Sequence, residues 1–204
     1  MSKNVVKRKI DRRIRRTRDR LGDALMELAL EKPFDAITVQ DVLNRSCVSR
    51  SAFYVHYTDK NDLFISDVDE FLEGMATILS RRVDSSDRVA PVRELFSHIA
   101  DASRFHKAIV ASGKIHDVLE LGQGHFARAI EQRLAELPRA RAITVERHAV
   151  AQAFAGALLS LLSWWIKEKM PMSPAHMDDL YHRMVWTGLD RKVRSSAQTV
   201  LRRF

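Results

Sequence analysis

Apolar residues return every three or four positions along almost all of this chain, and only seven glycines and five prolines interrupt them. That spacing lines one face of a helix and leaves no run of strand alternation, so it predicts an all-α fold. A long helix is predicted from about Asp11 to Glu31, with Ile14, Leu21, Leu25 and Leu28 on its inner face and Lys32-Pro33 as its stop. A short helix over Val39 to Arg45 opens at Thr38, whose hydroxyl can cap free backbone N–H groups, with Val39, Val42 and Leu43 facing inward. Ser49 can cap a second short helix through about Tyr57, and Thr58-Asp59 can start a longer one carrying Leu63, Phe64, Val68, Phe71, Leu72 and Met75.

Beyond a charged loop, Arg81 to Arg88, helices are expected over Val92 to Ser112, His116 to Leu137, Thr144 to Glu168 and Ser173 to Leu189. Pro138, Pro171 and Pro174 mark the breaks, and the basic end from Arg191 to Phe204 is expected to fray. With 46% of its 204 residues apolar, the chain can bury a sizeable core. The longest nearly apolar run, Ala153 to Ile166, is interrupted by Ser160 and Ser163 and falls short of the about 18 to 20 residues that span a bilayer. No membrane is therefore expected. The absence of a signal-like apolar stretch near the N-terminus and the single cysteine, Cys47, both point to a cytoplasmic protein.

The net charge of +8 is concentrated. Residues 1–20 hold ten of the 34 basic residues and two of the 26 acidic ones, so the rest of the chain is neutral. A cationic arm of this kind neutralises phosphates and displaces their counterions, which points to nucleic acid; a solubilising tail or an anionic membrane surface are the plainer readings of the same composition.

Thr38 to Tyr57 has the layout of a helix-turn-helix, in which the first short helix braces a second whose N-terminal side chains enter the major groove. The run Val48-Ser49-Arg50-Ser51-Ala52-Phe53-Tyr54-Val55-His56-Tyr57-Thr58-Asp59-Lys60-Asn61-Asp62-Leu63 closely resembles the signature of the TetR/AcrR family, and Phe34 to Val42 resembles that family's lead into its first motif helix. The resemblance covers about Arg15 to Leu63 strongly and is architectural beyond. It implies a transcriptional regulator on double-stranded DNA, with Gln40, Arg50 and Ser51 toward base edges, Tyr54 also at the groove, and Thr38, Tyr54, His56 and Lys60 on the sugar-phosphate backbone; Ser49, which caps the reading helix, is counted among the DNA-binding residues as well. The chemistry agrees, since Arg can pair with both acceptors of guanine and Gln with adenine. Packing explains Tyr57 better than DNA contact.

Three positions depart from the family pattern, which has a small residue at Leu43, Ala at Ser46 and Gly at Cys47. Gly enters left-handed backbone conformations cheaply, whereas Cys47 would incur a steric cost of about 1 kcal/mol there. The presentation of the reading helix is then expected to be looser or slightly rotated. Cys47 reads either as a buried small thiol or as a redox switch with Arg45 beside it, the first being commoner.

In the second half, Ala149, Ala153, Gly156, Ala157 and Ser160 fall close to one helical stripe where another helix can approach, with Leu158, Leu161, Leu162, Trp165 and Ile166 adding bulk. An intramolecular core is one outcome. The family resemblance implies the other, a homodimer built on the last two long helices, together with a pocket for an unidentified small-molecule effector. Phe96, Phe105, His106, His116, His125, Phe126 and Phe154 are candidates to line it, none singled out.

The domain plan is therefore a basic arm over 1–14, a three-helix helix-turn-helix domain over 15–66, a helical ligand-binding and dimerisation domain over 67–190 and a basic tail over 191–204. No nucleophile with its base, paired-carboxylate cleft, phosphate loop or metal-ligand spacing is found, so no enzyme, cofactor or metal is expected. The function expected is a ligand-responsive repressor on a palindromic operator. Its rival is a TetR-like co-regulator acting through protein contacts, motivated by the altered turn at Ser46-Cys47.

Overall fold

The computed structural model describes residues 3–81, 86–101, 109–110, 112–140 and 143–201, with side chains described over 12–79, 86–101, 109–110, 112–140 and 143–189. Among the described residues there is no strand. The chain divides into two units, Met1–Phe71 with Ala102–Val118, and Leu72–Asp101 with Leu119–Phe204. The division falls at Phe71, and a later segment, Ala102–Val118, joins the first unit.

In the first unit, α1 (Lys3–Glu31) is followed by a 3-10 turn (Phe34–Ala36), α2 (Val39–Ser46), α3 (Arg50–Tyr54) and α4 (Lys60–Ala76). α1 begins well before Asp11, so residues read as an arm continue the helix; the side chains of Lys3, Lys7, Arg8 and Lys9 lie outside the described set. Leu21, Leu25 and Leu28 of α1 pack with Phe34, Val42, Leu43, Phe53, Leu63, Phe64 and Val68, all buried. Each such side chain contributes about 1.5–3 kcal/mol by leaving water. Ile14, expected on that inner face, is 38% exposed. Val39 is half-buried rather than inward.

Gly22 of α1 faces the Asp67 side chain of α4. A Cβ there would stand 2.4 Å from Asp67 Oδ1, so any larger residue would displace the carboxylate. Burial, and then the charges of Asp23, Glu70 and Asp19, push Asp67 up to about 6 against the pull of Arg18. A folded value above the usual 3.8 means that the folded chain holds a proton the unfolded chain has released, so stability falls as pH rises between those values and stays lower above them. Asp67→Asn is expected to be more stable than the unaltered chain at pH 7.5 by on the order of 1–3 kcal/mol and to lose that advantage toward pH 4, as thermal melts across that range would show.

In the second unit the elements are α5 (Ile78–Arg81), α6 (Val92–Asp101), α7 (Ile115–Glu136), a 3-10 turn (Pro138–Ala140), α8 (Arg147–Lys167) and α9 (Pro174–Leu201), with the start of α7 counted in the first unit. Its core joins Leu95 and Phe96 of α6, Phe126, Ile130 and Leu134 of α7, Ala155, Leu158 and Trp165 of α8, and Met177, Tyr181 and Val185 of α9. Phe96 and Trp165 meet at 4.8 Å between ring centroids. Of the single helix expected over Val92 to Ser112, α6 supplies Val92–Asp101, and a turn at Ser112-Gly113, with Gly113 at φ +70°, precedes α7. Residues 102–108 and 111 lie outside the described set. The end expected to fray is helical as far as Leu201.

The charged segment before α6 is tied down rather than free. Arg88 donates to Glu94 Oε1 at 3.0 Å and to Asp178 Oδ1 at 2.9 Å. Arg133 donates to the carbonyls of Arg88 and Ser86, and Trp186 to that of Asp87. The Val89 N–H donates to His182 Nε2 at 3.1 Å, which assigns the other ring proton to Nδ1, within 2.8 Å of the Asp178 carbonyl. Burial holds His182 below its ordinary value, against the pull of Asp178. Residues 82–85 lie outside the described set.

α8 is long and apolar enough to cross a membrane by length and composition, which the shorter span Ala153 to Ile166 does not suggest. One side of it, Ala151, Ala155, Leu158, Leu162 and Trp165, is buried in this unit's core, so the bulk expected at a partner helix largely faces inward. Ala149, Ala153 and Ser160 of the small-residue stripe are exposed, as is Trp164 at 40%.

Candidate nucleic-acid interface

α2 is started by a reciprocal cap. The Asp41 N–H donates to Thr38 Oγ1 at 3.1 Å, while the Thr38 N–H and hydroxyl both donate to Asp41 Oδ2, at 2.8 and 2.7 Å. Lys32 adds its ammonium to the same oxygen at 2.8 Å. These bonds, Lys32 first, hold the Asp41 carboxyl well below the ordinary range. Thr38, expected at the DNA backbone, therefore spends its hydroxyl proton on the cap, although it remains exposed.

The turn after α2 closes in the way a glycine would close it. Cys47 adopts φ +52° and ψ +35°, the left-handed conformation. Ser46 compensates locally: its hydroxyl accepts the Val48 N–H at 3.3 Å, and its carbonyl receives the guanidinium of Arg20. The expected looseness thus meets a turn fastened from two sides. Cys47 is exposed, correcting the buried-thiol expectation, and its sulfhydryl points to the Asn44 carbonyl at 3.8 Å. Arg45 is turned to α1, where it grips Glu31 at 2.7 Å and Glu27 at 3.2 Å, which removes it as a partner for the thiol.

Ser49 caps α3 by accepting the Ala52 N–H at 3.3 Å. The helix is shorter than expected, ending at Tyr54, with a turn through Val55-His56. Arg50 and Ser51 are exposed, and Ser51 lies 3.2 Å from the Ser49 hydroxyl. The Arg50 guanidinium stands 5.6 Å from the centre of the Tyr54 ring, which is 48% exposed. A cation over an aromatic face is attracted by the ring quadrupole, so Tyr54 holds the guanidinium up from the helix end. Phe53, on the opposite side, is wholly buried and anchors α3.

Tyr57 is buried, and its hydroxyl accepts from Arg18 at 3.0 Å, consistent with the packing role expected of it. His56 is half-buried, 6.2 Å from the Tyr57 ring centre. Gln40 is exposed on α2 and donates to Asn44 Oδ1 at 2.9 Å.

Lys60 departs from its expected role. Its ammonium donates to the carbonyls of Phe34, Asp35 and Ile37 at 2.7, 3.0 and 2.7 Å, which uses all three protons. It fastens the start of α4 to the 3-10 turn and is not free to hold a phosphate. Two cations of the basic arm are likewise structural: Arg20 at the end of α2, and Arg18, which reaches Tyr57, Ser66 and Glu70. Arg13, Arg15 and Arg16 are exposed along α1. Charge counting alone does not separate these groups, because a carbonyl at a helix end attracts a cation as a phosphate does.

Residues 21–66 match a family described as bacterial regulatory proteins, tetR family. Over 57 residues, 28% of this chain, the sequence is 39% identical to the uncharacterized HTH-type transcriptional regulator YxbF of Bacillus subtilis (strain 168), of whose length the match spans 15%. A putative TetR-family transcriptional regulator from Syntrophomonas wolfei str. Goettingen has a similar structure, with TM-score 0.65 and 14% identity over 85% of this chain and 94% of that one. A TetR transcriptional regulator from Streptococcus agalactiae 2603V does so with TM-score 0.59 and 22% identity over 89% and 98%. At these identities the likeness of the two structures is one of fold.

Proposed function

We propose that this chain, whose residues 21–66 match the tetR family of bacterial regulatory proteins, is a sequence-specific, cytoplasmic transcriptional regulator that binds double-stranded DNA, as a ligand-responsive repressor acting as a homodimer on a palindromic operator. The observation that carries this reading is the exposed start of α3, where Arg50 stands over Tyr54 at the end of a helix whose other side is anchored by Phe53. Arg50 and Gln40 supply base contacts. Ser51, Tyr54 and His56 border them, and the exposed Arg13, Arg15 and Arg16 supply phosphate contacts that carry no sequence information.

A homodimer is supported by the exposed stripe of Ala149, Ala153 and Ser160 on α8 beside Trp164, and by Met184 on α9, which is 49% exposed. Small residues let a second helix approach closely, and two reading heads about 34 Å apart occupy successive major grooves. An effector would act by binding one separation of the heads better than another. Of the candidate lining residues, Phe96 and Phe126 are buried, Phe154 and His125 half-buried and His116 exposed, whereas Phe105 and His106 lie outside the described set. The protein-contact alternative loses its motive, since Cys47 takes up the conformation that the turn needs.

Enrichment of duplexes from a random pool by the purified protein tests the proposal. The expected product is a two-fold symmetric motif, bound with an affinity that falls steeply with salt, at about 0.9 decades per decade of salt for each phosphate neutralised. Enrichment of no motif, or sedimentation as a monomer on a single half-site, would sink it.

A further inference from the structure

We propose that Asn44 is a positioning residue for base reading: it sets the plane and direction of the Gln40 amide, and so decides what that amide can recognise. The assignment rests on the DNA-binding reading above and deepens it.

The two side chains stand one helical turn apart on the exposed face of α2, with Gln40 Nε2 donating to Asn44 Oδ1 at 2.9 Å. An unrestrained glutamine has three rotatable bonds and a terminal amide that turns freely, so a contact to a base must order all of them. With one Nε2 proton given to Asn44, the amide plane is set. What remains is a second Nε2 proton and the Oε1 acceptor, which stand side by side when the proton anti to Oε1 is the one donated to Asn44. That donor and acceptor pair complements the N7 acceptor and N6 donor of adenine in the major groove. The helix beneath is itself held, by the reciprocal cap of Thr38 and Asp41 at its start and by Arg20 on the Ser46 carbonyl at its end.

Stabilisation of α2 does not account for Asn44. Asparagine is a poor helix former because its side chain competes for backbone bonds, and an exposed side-chain pair one turn apart recovers no more than alanine would supply without any pair. Nor is Asn44 needed to occupy its neighbours: Arg45 is engaged with Glu27 and Glu31, and the Cys47 sulfhydryl uses the backbone carbonyl of Asn44 rather than its side chain. The same device recurs on α3, where Tyr54 supports Arg50 one turn along. Gln40 and Arg50, the two residues proposed to supply base contacts, are thus each paired with a support four residues later on the same helix.

The test compares the motifs enriched from a random duplex pool by the full-length protein and by its Gln40→Ala, Asn44→Ala and Asn44→Asp variants, with circular dichroism melts as a check on folding. Asn44→Ala is expected to leave the melting temperature within a degree or two, to lower affinity for the unaltered protein's motif roughly 3- to 10-fold, and to flatten base preference at the positions that Gln40→Ala flattens and nowhere else. Asn44→Asp keeps the acceptor for Nε2, so it is expected to restore the preference at those positions while its charge lowers affinity for every duplex alike. An Asn44→Ala motif identical to that of the unaltered protein would overturn the assignment, as would loss of preference at positions that Gln40→Ala leaves untouched, which would make Asn44 a reader in its own right. If the unaltered protein enriched no motif, the DNA-binding reading would fall and take this assignment with it. A normal motif that neither Gln40→Ala nor Asn44→Ala alters would overturn this assignment alone.

Discussion

Arg50→Ala is expected to lower affinity for the enriched palindrome by between roughly 30-fold and 25,000-fold while leaving binding to unrelated duplex nearly unchanged. A bidentate arginine–guanine pair contributes about 1–3 kcal/mol of discrimination, and a symmetric site contains it twice. Unrelated duplex is held through phosphates, for which Arg50 is one cation among many. Fluorescence anisotropy on the two duplexes at one salt concentration separates the outcomes: an equal loss on both would make Arg50 a phosphate contact. Lysine should not restore the preference, because it lacks the planar fork and rests less well on the Tyr54 ring. Tyr54→Phe keeps a π face under Arg50 and should preserve more of the preference than Tyr54→Ala, which leaves the guanidinium unsupported.

In the second unit the largest expected effect belongs to Arg88. Its guanidinium joins Glu94 to Asp178, and the Asp178 side chain is only 6% exposed. Burial works against the Arg88 charge, but the hydrogen bond to Glu94 and the charges of Asp178 and Glu94 overcome it and raise its value. Arg88→Ala leaves two carboxylates facing one another with little water, and breaking a buried pair in this way costs about 3–5 kcal/mol. For a chain of this size the melting temperature should drop by roughly 6–20 °C. The deficit should shrink as pH falls toward the carboxylate range, because protonation relieves the stranded charges. A drop of less than a degree or two in a thermal melt would show that the network has no role in stability. Arg88→Lys, which keeps the charge without the fork, should fall between the two.

Much of the candidate interface was legible in the chain itself. The capping of α2 by Thr38 and of α3 by Ser49 rests on side chains that act within four residues, and both caps form as read. Tyr57 reads as packing rather than contact, and it is buried. The prolines place the boundaries of α7, α8 and the start of α9 within a few residues.

What stays hidden in the amino-acid order has a common cause. By charge alone Lys60, Arg18 and Arg20 count as free cations, yet each meets a partner far away in sequence: Lys60 the carbonyls of the 3-10 turn, Arg18 Tyr57 and Glu70, and Arg20 the end of α2. Nothing in the sequence sets Asn44 apart, because its significance lies in the one bond that it makes with Gln40. Cys47 was expected to hide its thiol, but the left-handed turn leaves it exposed. Periodicity and caps are local properties, written in residues a few positions apart, and so the all-α architecture and the capped start of α3 follow from the amino-acid order alone. Which cations remain available to a phosphate, and which faces of α8 stay open, depends on groups brought together from distant positions, because a charge is satisfied by whatever lies within a few ångströms of it in space.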